Sequence, residues 1–274
     1  EIMGVCACGH DRRHEQISNR LRFPKGRRGV VCYYDGNFFP AHPGHAETAL
    51  GVWDQLFAEA AAGSDADPMG IYLAPWPYAV TEATLGKDAV GERHRQLILH
   101  ALVERMPCTM LYQCSNSLFT NSSTFLNMRV AAIMDFHLSV SELPHLRDMQ
   151  LTVVAVQDIE TCSIADCVTL RSKLPFLRVM VVDNTGGNIE KVKQLRAAGI
   201  QVLDRPPSWI SSTAIRHAAR HGESLTRFYP ASGGWDIIAA YIQQYGLWYN
   251  VPAPLMGVVS NDVILGTPNT EFKE

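Results

Sequence analysis

His42 and His45 lie in the run Gly36-Asn37-Phe38-Phe39-Pro40-Ala41-His42-Pro43-Gly44-His45, just after an apolar stretch, 30–34. Three residues apart at the opening of a helix, two imidazoles share one side of its first turn. Gly44 between them lets an anion approach the backbone with no Cβ in the way. Imidazoles beside a polyphosphate donate hydrogen bonds and, when protonated, offset developing charge. Much later in the chain, Ile210-Ser211-Ser212-Thr213-Ala214-Ile215-Arg216 places three hydroxyls and a guanidinium at another helix start. Ser211 or Ser212 suits the N-cap, and the hydroxyls with the following N–H groups form an oxyanion cup. Arg216, about one turn on, could fork onto a β- or γ-phosphate. Taken singly, each segment also reads as an ordinary capped helix with solvated polar side chains. Two such cups in one chain point to a site for a nucleoside triphosphate.

The elements that must position these cups alternate. Apolar or β-branched runs at 29–35, 70–74, 109–113, 151–156, 177–182 and 201–203 read as strands buried on both faces. Helical periodicity is expected over 45–62, 91–105, 124–137, 163–174, 188–198, 211–221 and 235–245, with a loop over 75–89. This order predicts an α/β fold: a Rossmann-like parallel sheet, helices on both faces, and a ligand site at the carboxyl ends of its strands. Residues 1–28 form a basic extension, with Arg12, Arg13, Arg20, Arg22, Lys25, Arg27 and Arg28, which wraps the domain or meets a partner. The main domain spans 29–249, and 250–274 is a C-terminal tail.

The bulk composition excludes several classes. At 47% hydrophobic and 19% charged residues the 274-residue chain reads as globular, and its net charge of −3 provides no general field for nucleic acid. No run is long enough to span a bilayer. Seven cysteines, an odd count in a chain this long, argue for reduced thiols and an intracellular setting, cytoplasmic or mitochondrial. Cys6, Cys8, His10 and His14 cluster, yet their spacing matches no common zinc site, and adventitious clustering is the better reading. No metal ligand set is assigned. Cys108, Cys114, Cys162 and Cys167 read as core thiols.

The chain resembles the nucleotidyltransferases, and among them the nicotinamide/nicotinate mononucleotide adenylyltransferases. Residues 36–45 look like the family's phosphate loop with its His-x-Gly-His core, and 210–216 match its Ile-Ser-Ser-Thr-x-Ile-Arg signature. Residues 70–75, His94-Arg95, and the segments around Tyr229-Pro230, Tyr241-Ile242 and 245–248 resemble further family elements. The resemblance implies a nucleotidyltransferase α/β-phosphodiesterase fold and a role in NAD biosynthesis. The implied reaction transfers AMP from ATP to a pyridine mononucleotide by in-line attack without a covalent intermediate, releasing pyrophosphate. It gives His42, His45 and Arg216 to catalysis. Gly36, Asn37, Phe38, Gly44, Ile210, Ser211, Ser212 and Thr213 hold the nucleotide, and Asp158 accepts a ribose hydroxyl. Mg²⁺ enters on phosphate oxygens and water, so no carboxylate cage is expected.

The substrate end departs from the family. Ala74-Pro75-Trp76-Pro77-Tyr78 replaces a Ser-Pro turn, with Lys87 the one basic residue of that loop. No tryptophan stands at 111–115, leaving Tyr112 or Trp76 to face a pyridine ring, and Asp183-Asn184 replaces an arginine. Two other readings therefore stay open: a transferase with another acceptor, adenylyl or cytidylyl, and a non-catalytic relative built into a larger, possibly mitochondrial, assembly. A homo-oligomer also fits.

Overall fold

The computed structural model describes residues 19–113, 124–206 and 210–249. The 6–14 cysteine/histidine cluster, Cys114 and the 250–274 tail lie outside them. Six parallel strands are hydrogen-bonded in the order β3-β2-β1-β4-β5-β6. They are β1 Arg28–Gly36, β2 Asp67–Pro75, β3 Thr109–Leu111, β4 Gln150–Asp158, β5 Leu177–Asp183 and β6 Gln201–Asp204. The chain starts in the middle of the sheet, builds outward to β3, then returns to the other side of β1. The order reverses between β1 and β4, where Tyr34 lies opposite Val156. Connections above neighbouring strands diverge at such a point and leave a crevice at the carboxyl edge. This is the doubly wound, Rossmann-like architecture expected from the sequence.

Alternation along β1 divides the core. Val30, Cys32 and Tyr34 face one layer, with α1 (Pro43–Ala61), α3 (Glu92–Val103), α7 (Ser212–Arg220) and α8 (Asp236–Gln244). Val31 and Tyr33 face the other, with α4 (Phe125–Ser141), α5 (Ile164–Lys173) and α6 (Ile189–Ala197). Helix starts follow their caps: Thr124, Ser163 and Ser211 each accept a bond from the N–H three residues on. Both candidate phosphate helices, α1 and α7, therefore sit on the same side of the sheet.

One sequence expectation changes. The 75–89 stretch is not all loop: Tyr78–Leu85 forms α2, following Pro77. Prolines and aromatics hide its short period, and Pro77 immediately before the first turn suits a helix start. The described end of the basic extension is packed on the domain. Leu21 is buried in the second core layer, Arg22 N–H donates to the Met69 carbonyl at 2.8 Å, and Arg20 pairs with Glu104 at 2.8 Å.

Candidate active site

The first motif leaves the carboxyl end of β1 and enters α1. Between them Phe38 adopts a left-handed backbone (φ 50°) and the Phe39–Pro40 peptide is cis. His42 is the N-cap, Pro43 opens the helix, and Gly44 is buried in the first turn. The His42 N–H donates to His45 Nδ1 at 3.2 Å. The two imidazoles lie against each other with ring centroids 3.8 Å apart. The reciprocal half of this capping box is not closed by a bond of full geometry, since His42 Nδ1 has no hydrogen-bond partner among the described residues. His45 also meets Phe38 edge-on at 5.0 Å and Tyr34 at 6.2 Å.

These contacts fix charge state and tautomer. Burial pushes His42 well below the ordinary histidine range, reinforced by His45, and burial lowers His45 to about 3. Both rings are thus neutral at pH 7, so without a ligand they act as hydrogen-bonding groups and not as cations. Because His45 Nδ1 accepts a backbone bond, its proton resides on Nε2, which is a donor.

The second motif packs against the first. Ser211 is the N-cap of α7 and accepts from the Ala214 N–H at 3.1 Å. Ser212 Oγ donates to the Pro40 carbonyl at 3.0 Å, and Tyr229 Oη to the Ala41 carbonyl at 2.9 Å. Arg216 Nη1 donates to the Phe39 carbonyl at 2.6 Å and Nη2 to Thr213 Oγ1 at 3.3 Å. Three consecutive carbonyls of the first loop are thereby held by the second motif and the segment after it. Arg216 Nε lies 3.4 Å from Asp88 Oδ2 without making a hydrogen bond. Asp88 also pairs with Arg220, whose guanidinium holds its carboxyl below the usual range. Asn37 Oδ1, like His42 Nδ1, is buried with no partner among the described residues. His217 and His221 are exposed, their Nε2 atoms 3.1 Å apart.

Asp158 ends β4 beside this loop. Tyr34 Oη donates to its Oδ2 at 2.9 Å, and burial raises its pKa. Tyr34 therefore joins β1 to β4 across the switch point, a link that an apolar strand reading did not reveal.

Sequence reasoning also missed Asp35 and Arg129. Arg129 Nε and Nη2 donate to the two Asp35 oxygens at 2.7 and 2.5 Å, and Trp76 Nε1 donates to Oδ2 at 3.1 Å. The Asp35 and Arg129 side chains are 4% and 11% exposed. A carboxylate at the end of a buried strand and an arginine inside an apolar helix were the available signals. Tyr33, Asp35, Ala74, Pro75, Trp76, Arg129 and Ala132 line a small depression there. Trp76 meets Phe125 edge-on at 4.7 Å, whereas Tyr112 is buried and donates to Asp135 at 2.5 Å. Tyr112 is a core residue and not a ring platform. Lys87 is exposed, and Asp183 accepts from the Thr185 and Gly186 N–H groups at 3.0 and 3.2 Å, capping its own turn. His94 Nδ1 hydrogen-bonds Tyr241 Oη at 2.8 Å, and buried Arg95 donates to the Trp76 carbonyl at 2.7 Å, so both brace the site from α3.

No protein-family model matches the chain, and no curated protein matches it. Among solved structures, it is similar to a Vibrio parahaemolyticus protein provisionally assigned as a nicotinate-nucleotide adenylyltransferase. The identity is 12%, 81% of this chain and 97% of that one are covered, and the TM-score is 0.40. A Rhizobium etli pyruvate carboxylase is similar at 9% identity over 87% of this chain and 27% of that one, with a TM-score of 0.24. Likeness this loose carries no functional argument. The weight rests on the site itself.

Proposed function

We propose that the chain is a nucleotidyltransferase that transfers the adenylyl group of ATP to nicotinamide or nicotinate mononucleotide. One observation carries the reading: the two motifs share a single buried junction, and that junction contains three polar atoms without hydrogen-bond partners among the described residues. Asn37 Oδ1 and His42 Nδ1 sit where burial without a partner costs roughly 1–3 kcal/mol each, while Arg216 Nε faces only the Asp88 carboxylate, at 3.4 Å. A polar ligand would offset that cost for the donors among them.

In this reading the acceptor phosphate attacks the α-phosphorus of ATP in line and pyrophosphate departs, so positioning and charge stabilisation supply the catalysis. His45 offers Nε2–H to an α-phosphate oxygen, where charge grows in the transition state. Electrostatic contact with the polyphosphate favours imidazolium and opposes the burial that keeps both rings neutral. Arg216 would offer the leaving pyrophosphate the Nε edge that now faces Asp88, and Ser211 to Thr213 line the cup. Asp158 accepts a ribose hydroxyl. Among the described residues no group of three or more His, Cys, Asp or Glu could hold a metal ion. Mg²⁺ would enter on the phosphate oxygens and water and would supply charge neutralisation.

The second reading, a non-catalytic relative within a larger assembly, draws on a specific contact. Arg216 is already engaged by Phe39, Thr213 and Asp88, so the junction holds together without a nucleotide. Incubation with ATP, Mg²⁺ and either mononucleotide separates the two. Formation of dinucleotide and pyrophosphate, reduced by orders of magnitude in His45→Ala, supports the transferase. ATP binding without turnover, or no binding, supports the assembly role. Turnover only with another acceptor moves the assignment to a sister reaction.

A further inference from the structure

On the opposite face of the sheet from the two motifs, a cavity of about 570 Å³ opens between the starts of α5 and α6. Its walls include Cys162, Ser163, Gly187, Asn188 and Lys191. Cys162 immediately precedes the N-cap of α5, and Cys167 lies within that helix. Five residues apart across the start of α5, the two thiols pack in the same core layer and interact electrostatically. Cys162 contributes to the cavity wall, whereas Cys167 is wholly buried behind it. Lys191 Nζ donates to the Ile159 carbonyl at 2.6 Å, the same carbonyl that faces Cys162 Sγ at 3.5 Å. An ammonium group thus stands beside the outer sulfur.

We propose that Cys162 and Cys167 form a modification site for hydroperoxides, with Cys162 the attacking thiol and Cys167 the resolving one. In the first step the Cys162 thiolate attacks one peroxide oxygen, the O–O bond breaks, and hydroxide or alkoxide leaves, giving a sulfenic acid. In the second step Cys167 attacks the Cys162 sulfur, its proton goes to the departing oxygen as water, and a disulfide remains. Two electrons pass from the thiol pair to the peroxide. The environment suits each role. Interaction with Cys167, followed by the nearby Lys191, brings the Cys162 thiol below its ordinary range. The same interaction, with burial, raises Cys167, which keeps it protonated until the sulfenic acid forms.

The pair abuts both halves of the proposed site. The Cys162 N–H donates to the Asp158 carbonyl at 3.0 Å. Gln157, with its amide oxygen turned to Arg129 at 3.0 and 3.2 Å, lays its amide nitrogen against Cys167. Closure of the disulfide would pull on both contacts.

The test is stoichiometric hydrogen peroxide on the full folded chain, then alkylation and peptide mapping without reduction. Both cysteines fall in one tryptic fragment, 148–171. The expected product is that fragment lighter by two hydrogens and closed to alkylation, formed before half-exposed Cys108 reacts. Cys167→Ser should leave Cys162 as a sulfenic acid that dimedone captures, and Cys162→Ser should leave Cys167 reduced. A fragment that stays fully alkylatable while Cys108 oxidises overturns the proposal. So does oxidation of Cys167 in Cys162→Ser. The wild-type map alone decides the matter where a variant fails to fold, and it does not depend on the transferase reading.

Discussion

Arg216 Nη1 stands 2.6 Å from the carbonyl oxygen of Phe39, a hydrogen bond that bridges 177 positions of the chain. It makes Arg216 a structural strut as well as a candidate phosphate ligand, because Phe39 belongs to the loop that presents both imidazoles. Arg216→Ala strands a buried carbonyl and leaves Asp88 with Arg220 alone. The expected loss is about 2–4 kcal/mol of unfolding free energy, measured by urea titration. Ser212→Ala removes only the bond to Pro40 and should cost about 1 kcal/mol. Equal losses from the two would mean that the guanidinium is not the principal tie.

The neutral histidines predict acid sensitivity. His42 and His45 have folded pKa values depressed below the unfolded value of about 6.5. Each therefore contributes stability that is fully present above pH 6.5 and is lost as pH falls toward the folded value, because the unfolded chain binds the proton first. Stability should decline between about pH 6.5 and 3, each histidine adding a slope of at most about 1.4 kcal/mol per pH unit. In His45→Gln that slope should flatten by up to one proton equivalent. An unchanged slope in equilibrium denaturation across this window would mean that the imidazole is already charged in the folded protein.

Much of this was legible in the sequence because its causes are local. The Ser211/Ser212 cap announced α7, helical periodicity announced α4 and α5, and the uninterrupted apolar runs announced strands covered on both faces. What escaped was set by distance. The charge state of His42 and His45 depends on burial, which spacing does not encode. Asp35 meets Arg129 across 94 positions, and Asp88 meets Arg220 across 132, so neither pair leaves a periodic trace. Gly36 and Gly44 were visible as loop glycines, yet it is Tyr34, a residue of apolar appearance, that ties the loop's strand to Asp158.

Asp88 competes for the charge that a polyphosphate would need. It pairs with both Arg216 and Arg220, while its own carbonyl accepts from Trp248 Nε1 at 2.6 Å, fixing the 86–88 turn in place. Asp88→Asn keeps the shape and removes the competing charge. If Arg216 binds phosphate, ATP affinity measured by calorimetry should rise on the order of tenfold, equivalent to about 1.4 kcal/mol. Weaker binding would instead identify Asp88 as the group that holds Arg216 in its working orientation.

Asp35 and Arg129 form a bidentate pair at the carboxyl end of β1, next to Trp76. Buried pairs of this kind cost desolvation on both sides, so removing one partner is worse than removing both. Asp35→Asn should destabilise by about 3–5 kcal/mol because it leaves the Arg129 cation buried without its counter-charge. The double change Asp35→Leu with Arg129→Met should recover most of that loss. Activity then separates scaffold from substrate contact. With Asp35 only positioning Trp76 and the loop, the double variant would regain stability and turnover together. Recovered stability with KM for the mononucleotide still raised, while KM for ATP is unchanged, would instead put Asp35 or Arg129 in contact with the acceptor.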